Sequence, residues 1–178
     1  MLRLVIILFF SSWLIDDAHA ANQDKALAQF KGKMPMVLFF VTHDCPVANK
    51  MVPEIKRIAK DYRQKARFML VYADPDMTLA QLKTHQTDFK LTKIPNTLDK
   101  NHQLVKATGA EVTPEAVIIK QSTVVYRGRI NNFYEDFGKP RRVITQHDLR
   151  EAIEAVLAGK KVPAPRGECI GCYIPKLK

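Results

Sequence analysis

Residues 36–62 read MVLFFVTHDCPVANKMVPEIKRIAKDY, from Met36 to Tyr62. Val37 to Val41 is an unbroken apolar run of strand length, rich in aromatic and β-branched residues, which is the pattern of a central strand buried on both faces. Thr42-His43-Asp44-Cys45 follows as a polar turn. Pro46 suits the first position of a helix, where its missing N–H costs nothing, and Met51, Ile55, Ile58, Ala59 and Tyr62 then recur at helical intervals. The stretch predicts a strand that delivers Cys45 to the N-terminus of a helix.

Downstream, Arg67 to Ala73 predicts a second buried strand closed by Asp74-Pro75-Asp76, and Met77 to Phe89 a helix with Leu79, Leu82 and Phe89 on one face. This alternation implies right-handed crossovers around a parallel core. Ile94 to Leu98 contains Pro95 and reads as edge or loop, and Asn101 to Ala107 as a short helix stopped by Gly109. Val112-Thr113-Pro114 leads into a strand from Ala116 to Lys120, a turn at Gln121-Ser122 and a strand from Thr123 to Gly128, an antiparallel hairpin. Asn131 to Val143 is read as a loop, and its kinase-like Asp136-Phe137-Gly138 as chance, because no companion kinase motif is present. Thr145 is placed as the cap of a last helix, with Leu149, Ile153, Val156 and Leu157 on one face and Gly159 at its end. Upstream, Asn22 to Phe30 reads as a short leading helix ending at Gly32.

The two ends read differently from this domain. Residues 1–20 have a basic start at Arg3, an apolar segment and Ala18-His19-Ala20 as a small-x-small cleavage site, the pattern of a secretory signal peptide. A membrane anchor is the alternative, but the apolar run falls short of the ~20 residues a span needs and Asp16-Asp17 interrupts it. The protein is therefore expected to be exported, periplasmic or secreted after cleavage near Ala20, with residues 21–159 as one domain. Residues 160–178 form a Pro- and Lys-rich tail carrying Glu168-Cys169-Ile170-Gly171-Cys172. With 178 residues, the chain can bury a core without disulfide staples.

Net charge is +10, and cleavage removes one basic and two acidic residues to give +11. The basic side chains are scattered, with few aromatics between them, so nucleic acid is not expected as a partner. A solvated surface is the first reading of this charge, and an anionic membrane surface or an acidic protein is the kind of partner it would suit. Three cysteines survive cleavage, Cys45, Cys169 and Cys172. In an oxidising compartment they allow one bridge in three ways and leave one thiol over.

The order strand, cysteine turn, helix, strand, helix, Thr-Pro, hairpin, helix resembles the thioredoxin fold. In that fold a proline stands eight residues after the first cysteine, as Pro53 does here, and Gly109 and Pro114 resemble its glycine and cis-proline. More closely, Cys45-Pro46 with Asn49 and Pro53, Val112-Thr113-Pro114-Glu115, Tyr126-Arg127-Gly128-Arg129-Ile130, Asp148-Leu149-Arg150, Leu157-Ala158-Gly159-Lys160 and Gly171-Cys172 with Ile174-Pro175 resemble exported redoxins, relatives of alkyl hydroperoxide reductase and thiol-specific antioxidant. The resemblance implies a thioredoxin-like α/β three-layer sandwich, a mixed central sheet flanked by helices, over roughly Gly32 to Gly159. It also implies that a cis Pro114 lies against Cys45, and it favours Cys172 over Cys169 as a partner thiol. Two departures stand out. Ala48 occupies the position of thioredoxin's second cysteine, and Leu38 stands where peroxiredoxins pair a proline with the threonine matched by Thr42.

A thiol reacts as thiolate, and the free N–H groups and dipole of a helix N-terminus favour that form. Cys45 is thus a candidate nucleophile, with Thr42, Pro114, Cys172 and Cys169 as candidate catalytic partners and Thr113 and Arg127 as candidate substrate contacts; a small buried core residue is the plain alternative for Cys45. His43 could assist it and Asp44 oppose it. A resolving sulfur would have to come from the tail, whose ten residues from Gly159 to Cys169 span at most about 35 Å.

Three functions are compatible. One is a thiol oxidoreductase acting on a disulfide- or peroxide-bearing substrate with a thiol reductant, needing no cofactor and no metal. The others are a copper-handling or electron-transfer accessory protein and a non-catalytic binding module. C-x-x-C at Cys169 and Cys172 leaves a local bridge or a soft-metal site open, though no second ligand pair stands nearby.

Overall fold

β1 (Met36–Val41) is buried at every residue, and the rest of the domain is built on both of its faces. The computed structural model describes residues 25–177, so the expected signal peptide lies outside the described residues. Strand β1 pairs in parallel with β2 (Arg67–Tyr72), from Met36 opposite Arg67 to Val41 opposite Tyr72. On its other side it pairs antiparallel with β5 (Glu115–Lys120), Met36 opposite Ile119 and Phe40 opposite Glu115. With β3 (Asn96–Leu98) parallel to β2 and β6 (Thr123–Gly128) antiparallel to β5, the mixed sheet runs β3-β2-β1-β5-β6. β4 (Val112–Thr113) lies outside it.

The period of two along β1 divides its side chains between two cores. Val37, Phe39 and Val41 pack with residues of α1 (Pro46–Asp61), α2 (Leu79–Asp88) and α4 (Asp148–Leu157), among them Ile55, Ile58, Leu82, Leu149 and Ile153. Met36, Leu38 and Phe40 pack with Leu27, Phe30 and α3 (Gln103–Thr108) through Leu104 and Ala107. The result is the expected thioredoxin-like sandwich, helices over both faces of a mixed sheet. Burying a side chain such as Phe39 or Leu38 contributes roughly 1.5–3 kcal/mol, which is why β1 reads so clearly in the sequence.

Three local readings differ from expectation. Thr145 does not cap the last helix, because Asn132 draws it into a loop clasp: the Asn132 amide donates to Thr145 Oγ1 at 2.8 Å, and Asn132 Oδ1 accepts from the backbone N–H groups of Thr145 and Gln146. The helix begins at Asp148, behind His147. Leu79 is not on the buried face of α2. It is the first residue after the Thr78 cap and is 65% exposed, while Leu82, His85 and Gln86 face inward. The loop after Asn131 contains a small hairpin, β7 (Tyr134–Asp136) and β8 (Lys139–Pro140).

The tail is docked on the domain. Arg166 donates its backbone N–H to Asp148 at 2.9 Å and its guanidinium to Glu151 at 2.6 Å, and Arg129 donates to the second Asp148 oxygen at 3.0 Å. Burial pushes the Asp148 carboxyl up, but the bonds from Arg166 and Arg129 outweigh it and hold it below its ordinary value. Pro165 packs on Gly128, where a Cβ would stand 2.8 Å from its ring. The tail then forms β9 (Cys172–Tyr173), antiparallel to β4.

Candidate active site

Cys45 is the N-cap of α1, with Pro46 at the first helical position. The residue is 1% exposed, and its sulfur accepts from the Ala48 backbone N–H at 3.4 Å and donates to the Thr113 carbonyl at 3.1 Å. Capping thus directs the thiol across the end of the sheet towards β4. The Thr113–Pro114 peptide is cis, as the resemblance implied, and it is the Thr113 carbonyl that accepts from the Cys45 thiol.

The second sulfur at this point is Cys172. β9 pairs Cys172 with Thr113 and Tyr173 with Val112, and Thr113 Oγ1 donates to the Cys172 carbonyl at 3.4 Å. The Cys172 side chain packs against the core cluster that holds Cys45. Its thiol is pushed up to about 12, by burial first, then by the hydrogen bond and charge of Cys45, then by Asp44.

The other candidates divide. Thr42 joins the cluster through its hydroxyl, 3.3 Å from that of Thr113. Cys169 lies instead in a groove with Glu115, Arg127, Gly128 and Pro165; burial, then the Glu115 carboxylate, pushes its thiol well above the ordinary value. Arg127 is engaged by the Gly109 carbonyl, Glu111 and Glu115, and Arg129 by Asp148 and Gln146. His43 Nδ1 stands 3.9 Å from Asp44, and its Nε2 is 3.4 Å from the Gln81 amide. Among the described residues no group of three or more His, Cys, Asp or Glu side chains is placed to hold a metal ion.

Sequence reading missed a polar chain behind the cysteine turn. The Asn49 amide donates to the His43 carbonyl at 2.9 Å, which turns Asn49 Oδ1 towards His85 Nε2 at 2.8 Å; His85 Nδ1 is 2.9 Å from the buried Tyr72 hydroxyl. Nε2 must then carry the proton and Nδ1 accept from Tyr72. The neutral ring ties strand β2 to the turn that carries Cys45. Only the unusual His85 on the face of α2 hinted at it. Burial, then His43, lowers the His85 pKa, against a smaller upward pull from Asp88. The unfolded chain, with an ordinary value of 6.5, therefore binds the proton first. Stability is full above that value and is lost as the pH falls below it. Urea unfolding should show this decline between pH 7 and pH 5, and His85→Gln should flatten it. His85→Ala should cost about 1–3 kcal/mol by stranding the Tyr72 hydroxyl.

Comparison with known proteins supports the architecture. The model of the Redoxin family matches residues 10–139. An uncharacterized conserved protein of Geobacillus kaustophilus is similar at 24% identity and a TM-score of 0.69, covering 83% of this chain and 79% of its own. A hypothetical protein of Sinorhizobium meliloti is similar at 26% identity and a TM-score of 0.67, covering 83% and 82%. A secreted disulfide oxidoreductase of Mycobacterium tuberculosis shares the fold at 14% identity and a TM-score of 0.53, covering 75% and 98%. No curated protein matches the chain.

Proposed function

The chain belongs to the redoxin family, and on that premise we propose that it is an exported thiol-disulfide oxidoreductase with Cys45 as nucleophile and Cys172 as resolving thiol. The observation that supports this reading is the β4–β9 pairing, which sets Cys172 opposite Thr113, the residue whose carbonyl accepts from the Cys45 thiol. Export rests on the signal-peptide pattern of residues 1–20.

In the reductive direction, the Cys45 thiolate attacks one sulfur of a substrate disulfide. A Cys45–substrate disulfide forms, and the other substrate sulfur leaves as thiolate and takes up a proton. Cys172 loses its proton and attacks Cys45 Sγ, the substrate sulfur leaves, and the Cys45–Cys172 disulfide remains. An external dithiol reduces that bond, so the substrate gains two electrons and the dithiol loses them. Run backwards, the same steps oxidise a substrate dithiol.

Two facts favour disulfides over peroxides. Thr42 is bonded to Thr113, and both Arg127 and Arg129 are engaged by carboxylates. Neither arginine is free to steady a peroxide oxygen at Cys45. Thiol titration of the mature protein tests the reading: three thiols are expected after reduction and one after oxidation by a disulfide. Three thiols in both states would count against it.

A further inference from the structure

The edge of β4 carries a set of slots, and the protein's own tail fills them. Cys172 packs inward on the cluster that holds Cys45, Tyr173 points out and is 83% exposed, and Ile174 points inward again, 9% exposed, into the second core. The Ile174 N–H donates to the Glu111 carbonyl at 2.9 Å, which continues the pairing one residue beyond β9. Before the cysteine the fit is tightest. A Cβ added to Gly171 would collide with the Thr113 carbonyl oxygen and stand 3.2 Å from Pro114 N. That obstacle is domain backbone held in the β4 ladder, so it cannot turn aside as a flexible side chain could. Between Met51, Pro114, Tyr134 and Ile170 the docked tail leaves a crevice of about 20 Å³, room for about one water.

The steric rule belongs to β4, not to the tail. Any extended segment that takes the place of β9 meets the same carbonyl, the same sulfur and the same aliphatic slot. Resting on the oxidoreductase reading above, we propose that β4 selects an extended polypeptide of the form Gly-Cys-x-aliphatic with its cysteine in a disulfide, and that the tail is a built-in competitor for this edge. Substrate selection then lies in backbone pairing and the absence of a side chain before the cysteine, and substrate enters only when β9 lifts. In the exchange, the Cys45 thiolate attacks the sulfur of the peptide cysteine, and the small thiol bonded to it leaves and is protonated.

The test uses the mature full-length chain carrying Cys169→Ser and Cys172→Ser, so that Cys45 is the reacting thiol. Its probes are two peptides, one containing Gly-Cys-Tyr-Ile and one Ala-Cys-Tyr-Ile, each with a 2-thiopyridyl disulfide on the cysteine, and the small disulfide 2,2′-dithiodipyridine. Gly171→Val drives the tail off through the Thr113 carbonyl, and Ile174→Asp removes its anchor at the other end; thermal melts select the variant that keeps its fold. Tail displacement should speed the glycine peptide at least tenfold, and the displaced variant should prefer it to the alanine peptide at least tenfold. Equal rates for the two peptides, or no gain on displacement, would overturn the proposal while dithiodipyridine still reacts. Failure of dithiodipyridine as well would overturn the oxidoreductase reading, and the proposal with it.

Discussion

Cys45→Ser is expected to abolish disulfide exchange, lowering turnover by at least roughly a thousandfold, the scale on which loss of a nucleophile is felt. A hydroxyl does not ionise near neutral pH, so nothing attacks the substrate sulfur. The fold should survive the change. Serine is a good N-cap, and its oxygen can accept from Ala48 and donate to Thr113 as the sulfur does. Melting temperature close to wild type, together with lost turnover, is therefore the expected pair of results. Residual turnover near the wild-type rate would assign the chemistry elsewhere.

Cys172→Ser should stop the cycle at its midpoint. Cys45 still attacks, but the mixed disulfide with substrate has no neighbouring thiol and accumulates as a species of substrate-plus-protein mass. Resolution then falls to an external thiol. A tethered group works at an effective concentration in the millimolar range, so with about ten micromolar external thiol turnover should drop roughly a hundredfold. Cys169→Ser is the matched control. Its side chain sits with Glu115 and Arg127 rather than with Cys45, and turnover should stay close to wild type.

Much of this arrangement could be read from the chain. Val37 to Val41 announced a two-faced strand because every side chain is apolar, and Pro46 marked the helix start, which together placed Cys45 at the cap. Thr113-Pro114 was legible through resemblance. Local signals failed where a distant group decided the outcome. Thr145 looks like a cap until Asn132, thirteen residues earlier, claims both its hydroxyl and its N–H. Leu79 has the right spacing for the core, but its place at the first position of the helix leaves it in solvent. The docking of the tail had the weakest signal. β9 has two residues, too few for any periodicity, and its partner strand is equally short. The readable trace was Gly171 beside Cys172, whose meaning emerges only when the Thr113 carbonyl is seen against it. Cys169 and Cys172 share the C-x-x-C spacing yet face different surroundings, the first in the groove with Glu115 and the second on the core cluster that holds Cys45.

The proposed function rests on Cys45 and Cys172 acting as one redox pair. Peptide mapping by mass spectrometry of the mature protein, oxidised and then alkylated before digestion, tests it most directly. One linked species joining the Cys45 and Cys172 peptides is expected, with Cys169 alkylated. A Cys169–Cys172 bridge with Cys45 alkylated would contradict it.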